Sequence, residues 1–217
     1  MLEPIRHILD KTTIILASAS PRRKEILQNI GLKFIVQPST IEENLTKSDY
    51  YGRPFDYTVD TAELKADDVF EKLKNTNTED LLVIGCDTIV THAGTIYEKP
   101  KDVADAARVL GILSGQTHVV FSGVKMIFRG KDGRKHEETF YEATEVEFAE
   151  LSKKIIEGYI ATGEPMDKAG GYGIQGRGCS LVKGIKGDYF NVMGFPAHAF
   201  CCKLTDCLKK MKSSNLT

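Results

Sequence analysis

The stretch "LLVIGCDTIV", residues 81–90, is apolar at both sets of alternating positions until a carboxylate interrupts it at Asp87. A strand apolar on both sides is buried on both sides, the condition of a central strand in an α/β sheet. A carboxylate in such a run needs solvent, a cation or hydrogen-bond donors, because burying it alone is costly. Asp87 follows the apolar run directly, at the carboxyl end where α/β sheets gather their ligands. The plainer reading is a structural turn aspartate.

The flanking sequence supplies the rest of an α/β order. "TTIILAS" (12–18) is a short β-rich run leading into a helix with Ser20 as N-cap and Pro21 at its first position. Ile26, Leu27 and Ile30 give that helix an apolar stripe, and Gly31 stops it. "LKFIVQP" (32–38) reads as a second strand, followed by a polar loop. Val59, Ala62, Ala66, Val69, Phe70 and Leu73 keep helical spacing over 57–73, and "NTNTED" breaks that helix. After a turn at Gly94, Asp102 caps a helix carrying Val103, Ala106, Ala107, Leu110 and Leu113. "HVVFSGVKMIFR" and "ETFYEATEVEF" form a long antiparallel hairpin around Lys131-Asp132-Gly133. Ser152 caps a short helix, a glycine-rich stretch covers 166–178, and a strand near 181–185 precedes a helix from Pro196 to about Met211. The fold class is therefore α/β with a mixed central sheet flanked by helices. No repeat, low-complexity linker or boundary divides it, which gives a single domain over 12–211, with 1–11 and 212–217 as terminal extensions.

Composition excludes several classes. Twenty-nine Lys and Arg against 30 Asp and Glu leave a net charge of −1, unsuited to a general nucleic-acid coat or an anionic membrane surface. No apolar run approaches the roughly 20 residues needed to span a bilayer, and "MLEPIRHILDK" lacks the apolar stretch of a secretory signal. Cys86, Cys179, Cys201, Cys202 and Cys207 show no C-x-x-C pair and read as buried, reduced thiols, which places the protein in the cytoplasm.

The helix at Ser20 opens with Arg22, Arg23 and Lys24 where the helix dipole favours acidic side chains. Each such charge costs about 0.3–1 kcal/mol at an exposed site, so a bound anion would account for the arrangement; a solvated basic turn is the alternative. Glu42, Glu43, Lys65 and Lys99 read singly as surface residues. With Asp87 they form the set that phosphate-ester chemistry needs, carboxylates for a hard divalent ion and cations for phosphate oxygens. "GGYGIQGRG" contains G-x-G-x-x-G from Gly171 to Gly176, but it follows no strand, opens no helix and has no acidic residue about 20 positions on. It is therefore neither a dinucleotide fingerprint nor a Walker loop. Its glycines permit close backbone approach, and Gln175 offers a donor and an acceptor to a base edge. The five histidines show no ligand-like pairing.

Taken together, "LASASPRRKEIL", "IEE" at 41–43, "TAELKA", "GCDTIV", "EKPKD", "LSGQTHVVFSGV", "EPMDKAGGYGIQGRG" and "KGDYFNVMGFP" resemble the Maf family of nucleoside triphosphate pyrophosphatases, in order from about residue 12 to 208. Cys86 and Ser122 depart from that pattern without touching a charged position. The resemblance implies an elongated fold with a nucleotide cleft between two lobes, and hydrolysis of a nucleoside triphosphate to monophosphate and pyrophosphate. It makes Asp87 the proton acceptor and a metal ligand, and Glu42 a second ligand for Mg²⁺ or Mn²⁺. Ser18, Arg22, Arg23, Lys65 and Lys99 fall at positions around the triphosphate, and Arg22, Thr88 and Gln175 mark the dTTP/UTP subgroup. The partner it implies is the nucleotide substrate, with no nucleic acid or membrane, and it admits a homodimer. A catalytically silent nucleotide-binding regulator on the same fold is the alternative.

Overall fold

The computed structural model describes residues 1–75 and 79–213, and the side chains of all of these except 212 and 213. Its strands are β1 (Thr12–Leu16), β2 (Ile35–Val36), β3 (Asp80–His92), β4 (Thr95–Tyr97), β5 (Thr117–Arg129), β6 (Lys135–Phe148) and β7 (Val182–Lys186). They form one seven-stranded mixed sheet in the order β2-β1-β3-β5-β6-β7, with β4 folded back onto β3. The helices are α1 (Arg6–Leu9), α2 (Pro21–Asn29), α3 (Pro54–Leu73), α4 (Val103–Leu113), α5 (Lys153–Ile160), α6 (Tyr189–Met193) and α7 (Ala197–Ser213). The expected mixed α/β class is thus the observed one.

Strand β3 is central, as its two apolar faces require. One edge runs antiparallel to β5 from Leu81 opposite Arg129 to Thr91 opposite Val119. The other edge is shared. β1 pairs with it in parallel only as far as Leu16 opposite Ile84, and β4 pairs with it from Val90 opposite Tyr97 onward. Among the described residues, 85–89 therefore have no strand partner on that edge. Asp87 does not end its own strand, as its place after the apolar run suggested. β3 runs on to His92, and it is β1 that stops short and leaves Asp87 beside a gap.

Helix α3 lies against β3 and β5 at a separation that glycine sets. A Cβ at Gly85 would stand 2.2 Å from the Ala62 carbonyl oxygen, and one at Gly123 would stand 2.4 Å from that of Thr58. Side chains alternate along a strand, so Gly85 and Asp87 share the face that α3 covers. Ala66, Val69 and Phe70 of α3 bury against Ile15, Leu81, Val83 and Ile127. On the opposite face α2 and α7 pack a larger core that includes Leu16, Ile26, Ile84, Val124, Phe195 and Phe200. A third cluster gathers Val109, Leu110, Leu113, Phe148 and Tyr172 around α4.

Several local expectations change. The strand at 32–38 contracts to Ile35–Val36, both exposed, because it lies at the sheet edge and pairs only with Ile15 and Leu16. α1 and α6, of four and five residues, are too short to give a periodic signal. Residues 1–11, read as an extension, bury Leu2, Ile5 and Leu9 in the larger core. Asp102 and Ser152 cap their helices as expected, accepting from Asp105 N–H at 2.7 Å and Ile155 N–H at 3.4 Å. Cys86, Cys201 and Cys207 are buried, whereas Cys179 and Cys202 are exposed, on a loop turn and on the outer side of α7. Residues 76–78, within the expected helix break, and 214–217, within the expected frayed end, lie outside the described residues. No described helix is long and apolar enough to cross a membrane.

Gly123→Ala is expected to lower the unfolding free energy by roughly 1–3 kcal/mol through overpacking against the backbone of α3. Gly111→Ala, where a Cβ meets nothing within 4 Å on a helix, is expected to raise it by up to about 1 kcal/mol. Urea denaturation of both variants checks the pair.

Candidate active site

The gap beside β3 opens into a cleft of about 670 Å³. Val90, Val120 and Tyr172 from the cluster around α4 line it, together with Ile174 and Met193 from the larger core. Residues of both apolar cores thus line the cleft, and Val192 packs against the two of them. Because 85–89 have a free edge, both Asp87, on the α3 face, and Thr88, on the opposite face, border it.

Asp87 is 9% exposed, and its Oδ1 accepts from Lys65 Nζ at 2.8 Å. The same ammonium stands 3.0 Å from Glu43 Oε1. Burial pushes the Asp87 carboxyl above the usual carboxylate range, Lys65 and Arg23 oppose that rise, and Glu43 adds to it. Lys65 projects from α3, so the close seating of α3 at Gly85 and Gly123 puts the amine on the carboxylate. Glu42 is exposed, bonds to Asn44 at 3.3 Å and lies outside the cleft lining. Its neighbour Glu43 is the one that reaches Lys65.

The two arginines of α2 part company. Arg22 reaches across the cleft to the glycine-rich loop, where Nη1 bonds Asp167 Oδ2 at 2.8 Å and Nη2 bonds the Asp167 carbonyl at 3.1 Å. Burial would raise the Asp167 carboxyl, but its bonds from Lys168 and Arg22 hold it below the usual range. The anion called for by the first-turn cations is, in this structure, Asp167. Arg23 is buried and spends its fork on the protein. Nε donates to the Gly194 carbonyl at 3.0 Å, Nη1 to Ser18 Oγ at 2.9 Å and Nη2 to Thr88 Oγ1 at 3.1 Å. Thr88 Oγ1 also meets Ser122 Oγ at 2.9 Å. Of the residues expected to mark a subgroup, Thr88 is therefore joined to Arg23 and not to Arg22. Ser20 sits at the N-cap, but its side chain makes no capping bond. Lys99 is exposed on the cleft wall, and Gln175, also on the wall, bonds Glu25 of α2.

Sequence reading missed the group formed by Lys47, Tyr57 and Glu98. Tyr57 Oη donates to Glu98 Oε1 at 2.6 Å, and Lys47 pairs with Glu98 Oε2. Burial would raise the Glu98 carboxyl, yet the bonds from Lys47 and Tyr57 hold it below the usual range. These residues come from three separate segments with no common spacing, so no local pattern announces them. The glycine-rich loop lines the cleft through Gly173, Ile174 and Gln175, and it also closes on a carboxylate of its own. Glu164 Oε2 accepts from Arg177 N–H at 2.8 Å, and Oε1 from Gly178 N–H at 3.1 Å and Tyr159 Oη at 2.9 Å. A Cβ at Gly176 would lie 2.5 Å from that carboxylate, so the loop is wound around Glu164. His118, buried and bonded through Nε2 to Tyr172 Oη at 2.8 Å, is a core histidine that burial holds neutral, its pKa lowered to about 3.

No three His, Cys, Asp or Glu among the described residues converge to hold a metal. Asp87 and Glu43 both lie within 3.0 Å of one ammonium and are thus close to each other. One or two carboxylates completed by substrate phosphates and water are what Mg²⁺ takes at such sites, so this donor set fits a hard divalent ion. The arrangement as a whole sets one buried carboxylate against cations from several elements, a geometry for binding a polyanion and for accepting a proton beside it.

Comparison with known proteins agrees with that chemistry. A probable bifunctional dTTP/UTP pyrophosphatase/methyltransferase protein of Homo sapiens is 48% identical over 211 residues, which are 94% of this chain. The match spans only 33% of that human protein. A dTTP/UTP pyrophosphatase of Agathobacter rectalis is 46% identical over 84% of this chain and 91% of its own length. One of Bacillus thuringiensis is 45% identical over 84% and 89%. Among solved structures, a HAM1 protein from Coxiella burnetii is a distant likeness, 20% identical over 64% of this chain and 74% of its own, with a TM-score of 0.42. The family described as Maf-like protein matches residues 13–207, and the chain belongs to it.

Proposed function

We propose that this protein hydrolyses nucleoside triphosphates, dTTP and UTP foremost, to the monophosphate and pyrophosphate. The observation that carries the reading is Asp87, buried at the open edge of β3 and held 2.8 Å from Lys65 in a cleft that Arg22, Lys47, Lys99 and Lys168 also line. The names of the relatives support the choice of nucleotide. In this reading Asp87 takes a proton from the water that attacks the α-phosphorus. The bond from the α-phosphorus to its bridging oxygen breaks, and pyrophosphate departs. A carboxylate whose pKa burial has raised is a better base near neutral pH than an exposed one. Lys65 holds Asp87 in place before substrate enters and afterwards shares its charge with phosphate oxygens, as do Arg22 and Lys99, through charges fixed in advance of the reaction. Asp167 keeps the Arg22 guanidinium aimed across the cleft until a phosphate replaces it. Arg23 anchors Ser18 and Thr88 and keeps α2 on the strand. Asp87 and Glu43 would hold Mg²⁺ or Mn²⁺, which when bound supplies Lewis-acid neutralisation of the phosphates. A reducing cytoplasm suits the five free thiols.

Ion chromatography of a reaction with UTP should show UMP and pyrophosphate in equal amounts; orthophosphate as the first product would overturn the reading. Asp87→Asn should cut kcat by ~10²–10⁴-fold. In the metal-free protein the Asp87 carboxyl should titrate above the ordinary carboxylate range by NMR, and the substitution should remove that titration. Stability of the metal-free protein should follow the same titration. Between the unfolded and the raised folded pKa, the native state keeps a proton that the unfolded chain has lost, so stability falls as pH rises through that window. Asp87→Asn is thus expected to match or exceed the wild-type Tm at neutral pH. The arginines should separate as well. Arg22→Ala should raise KM with the Tm little changed. Arg23→Lys, whose single nitrogen cannot reach the three separate acceptors that the guanidinium fork spans, should lower stability by roughly 2 kcal/mol in urea denaturation.

A further inference from the structure

We propose that Glu25, on α2, is a positioning residue that fixes the amide of Gln175 so that the site accepts a ring N3 bearing a proton, and thereby separates uracil and thymine from cytosine. The proposal rests on the reading of this cleft as a pyrimidine triphosphate site. Gln175 Nε2 lies 3.1 Å from Glu25 Oε2. An ionised carboxylate can only accept, so the amino end of the amide must face α2 and the carbonyl end, Oε1, must face away from it. Gln175 borders the cleft and Glu25 does not. The base would therefore meet an acceptor.

The loop has little freedom to undo this. Gly173 N–H donates to Tyr159 Oη at 3.1 Å, and Gly176 N–H to the Gly173 carbonyl at 3.3 Å, on either side of Gln175. The Arg22–Asp167 bond ties the same loop to the first turn of the same helix. Uracil and thymine carry N3–H, a donor that Oε1 satisfies. Cytosine carries a bare N3 lone pair, which Oε1 repels. The 5-methyl group of thymine lies away from this edge, so one acceptor serves dTTP and UTP alike. A site that hydrogen-bonds a substrate N–H rejects an analogue lacking it strongly, because its own polar group is left unpaired. Glu25 is exposed, so its replacement removes no core contact.

The test is kcat/KM for UTP, dTTP and CTP in the full chain and in Glu25→Lys, Glu25→Gln and Gln175→Leu. Glu25→Lys replaces an acceptor by a donor and should turn the amide round. The UTP-to-CTP ratio should then fall by roughly tenfold or more, with kcat/KM for CTP rising in absolute terms. A purely structural role for Glu25 would lower all three substrates together. Glu25→Gln, which can pair with either end of the amide, should give an intermediate ratio, and it decides the matter if Glu25→Lys does not fold. A ratio unchanged in the folded Glu25 variants overturns the proposal. If Gln175→Leu collapses the ratio while those variants keep it, Gln175 reads the base without Glu25 and the functional reading stands. If Gln175→Leu keeps it too, Gln175 does not read the base. Absence of turnover of both UTP and CTP by the wild type overturns the functional reading, and the proposal with it.

Discussion

The Asp87–Lys65 pair is the constraint on which the rest of the site depends. A carboxylate 9% exposed in the middle of a central strand is unfavourable by several kcal/mol without a counter-charge. The counter-charge arrives from a different element, at 2.8 Å. That distance is available only because α3 lies nearly on the backbone of β3 and β5. Gly85 and Gly123 permit the approach, and any side chain there would strike the carbonyls of Ala62 or Thr58. Gly85, two residues before Asp87, and Gly123, directly opposite it on β5, thus set the electrostatics of the cleft.

The same economy appears in the sheet itself. A strand in a fully paired sheet presents its side chains to two separate faces. β3 escapes this between Ile84, where β1 stops pairing, and Val90, where β4 begins. Along that interval the edge is free, and residues from opposite faces border one cavity. Asp87 and Thr88 can thus serve a single site despite being consecutive in a strand. Each is held from its own side: Asp87 by Lys65 of α3, Thr88 by Arg23 of α2 and Ser122 of β5.

The first turn of α2 shows how charges that look alike in sequence take different work. Arg22 and Arg23 differ by about 100° around the helix axis. One points across the cleft to Asp167, and the other into the junction of α2, β3 and the turn at Gly194. Arginine suits both places, since its planar fork can bind a carboxylate with two nitrogens or serve three fixed oxygens at once. The chemistry of the pair is the same; the surroundings divide it into a ligand-facing residue and a structural tie.

The sequence by itself determined the order of the longer elements, the centrality of β3, the long hairpin and the caps at Asp102 and Ser152, because these follow from local periodicity and short-range hydrogen bonds. It also determined the Maf-like membership, through blocks spread along nearly the whole chain. What it left open is what depends on residues far apart meeting. It did not show that Glu43 rather than Glu42 reaches Lys65, since adjacent loop residues have no periodicity to assign their directions. It did not separate the tasks of Arg22 and Arg23, whose most distant partners, Asp167 and Gly194, lie 145 and 171 residues away. Nor did it reveal the Lys47–Glu98–Tyr57 group, or that the glycine-rich loop closes on Glu164, because a carboxylate's environment is fixed by the elements that enclose it. Strand ends were the last gap. An apolar run shows where a strand is buried, but the length of its neighbours decides where its edge is free, and only the assembled sheet places that free edge beside Asp87.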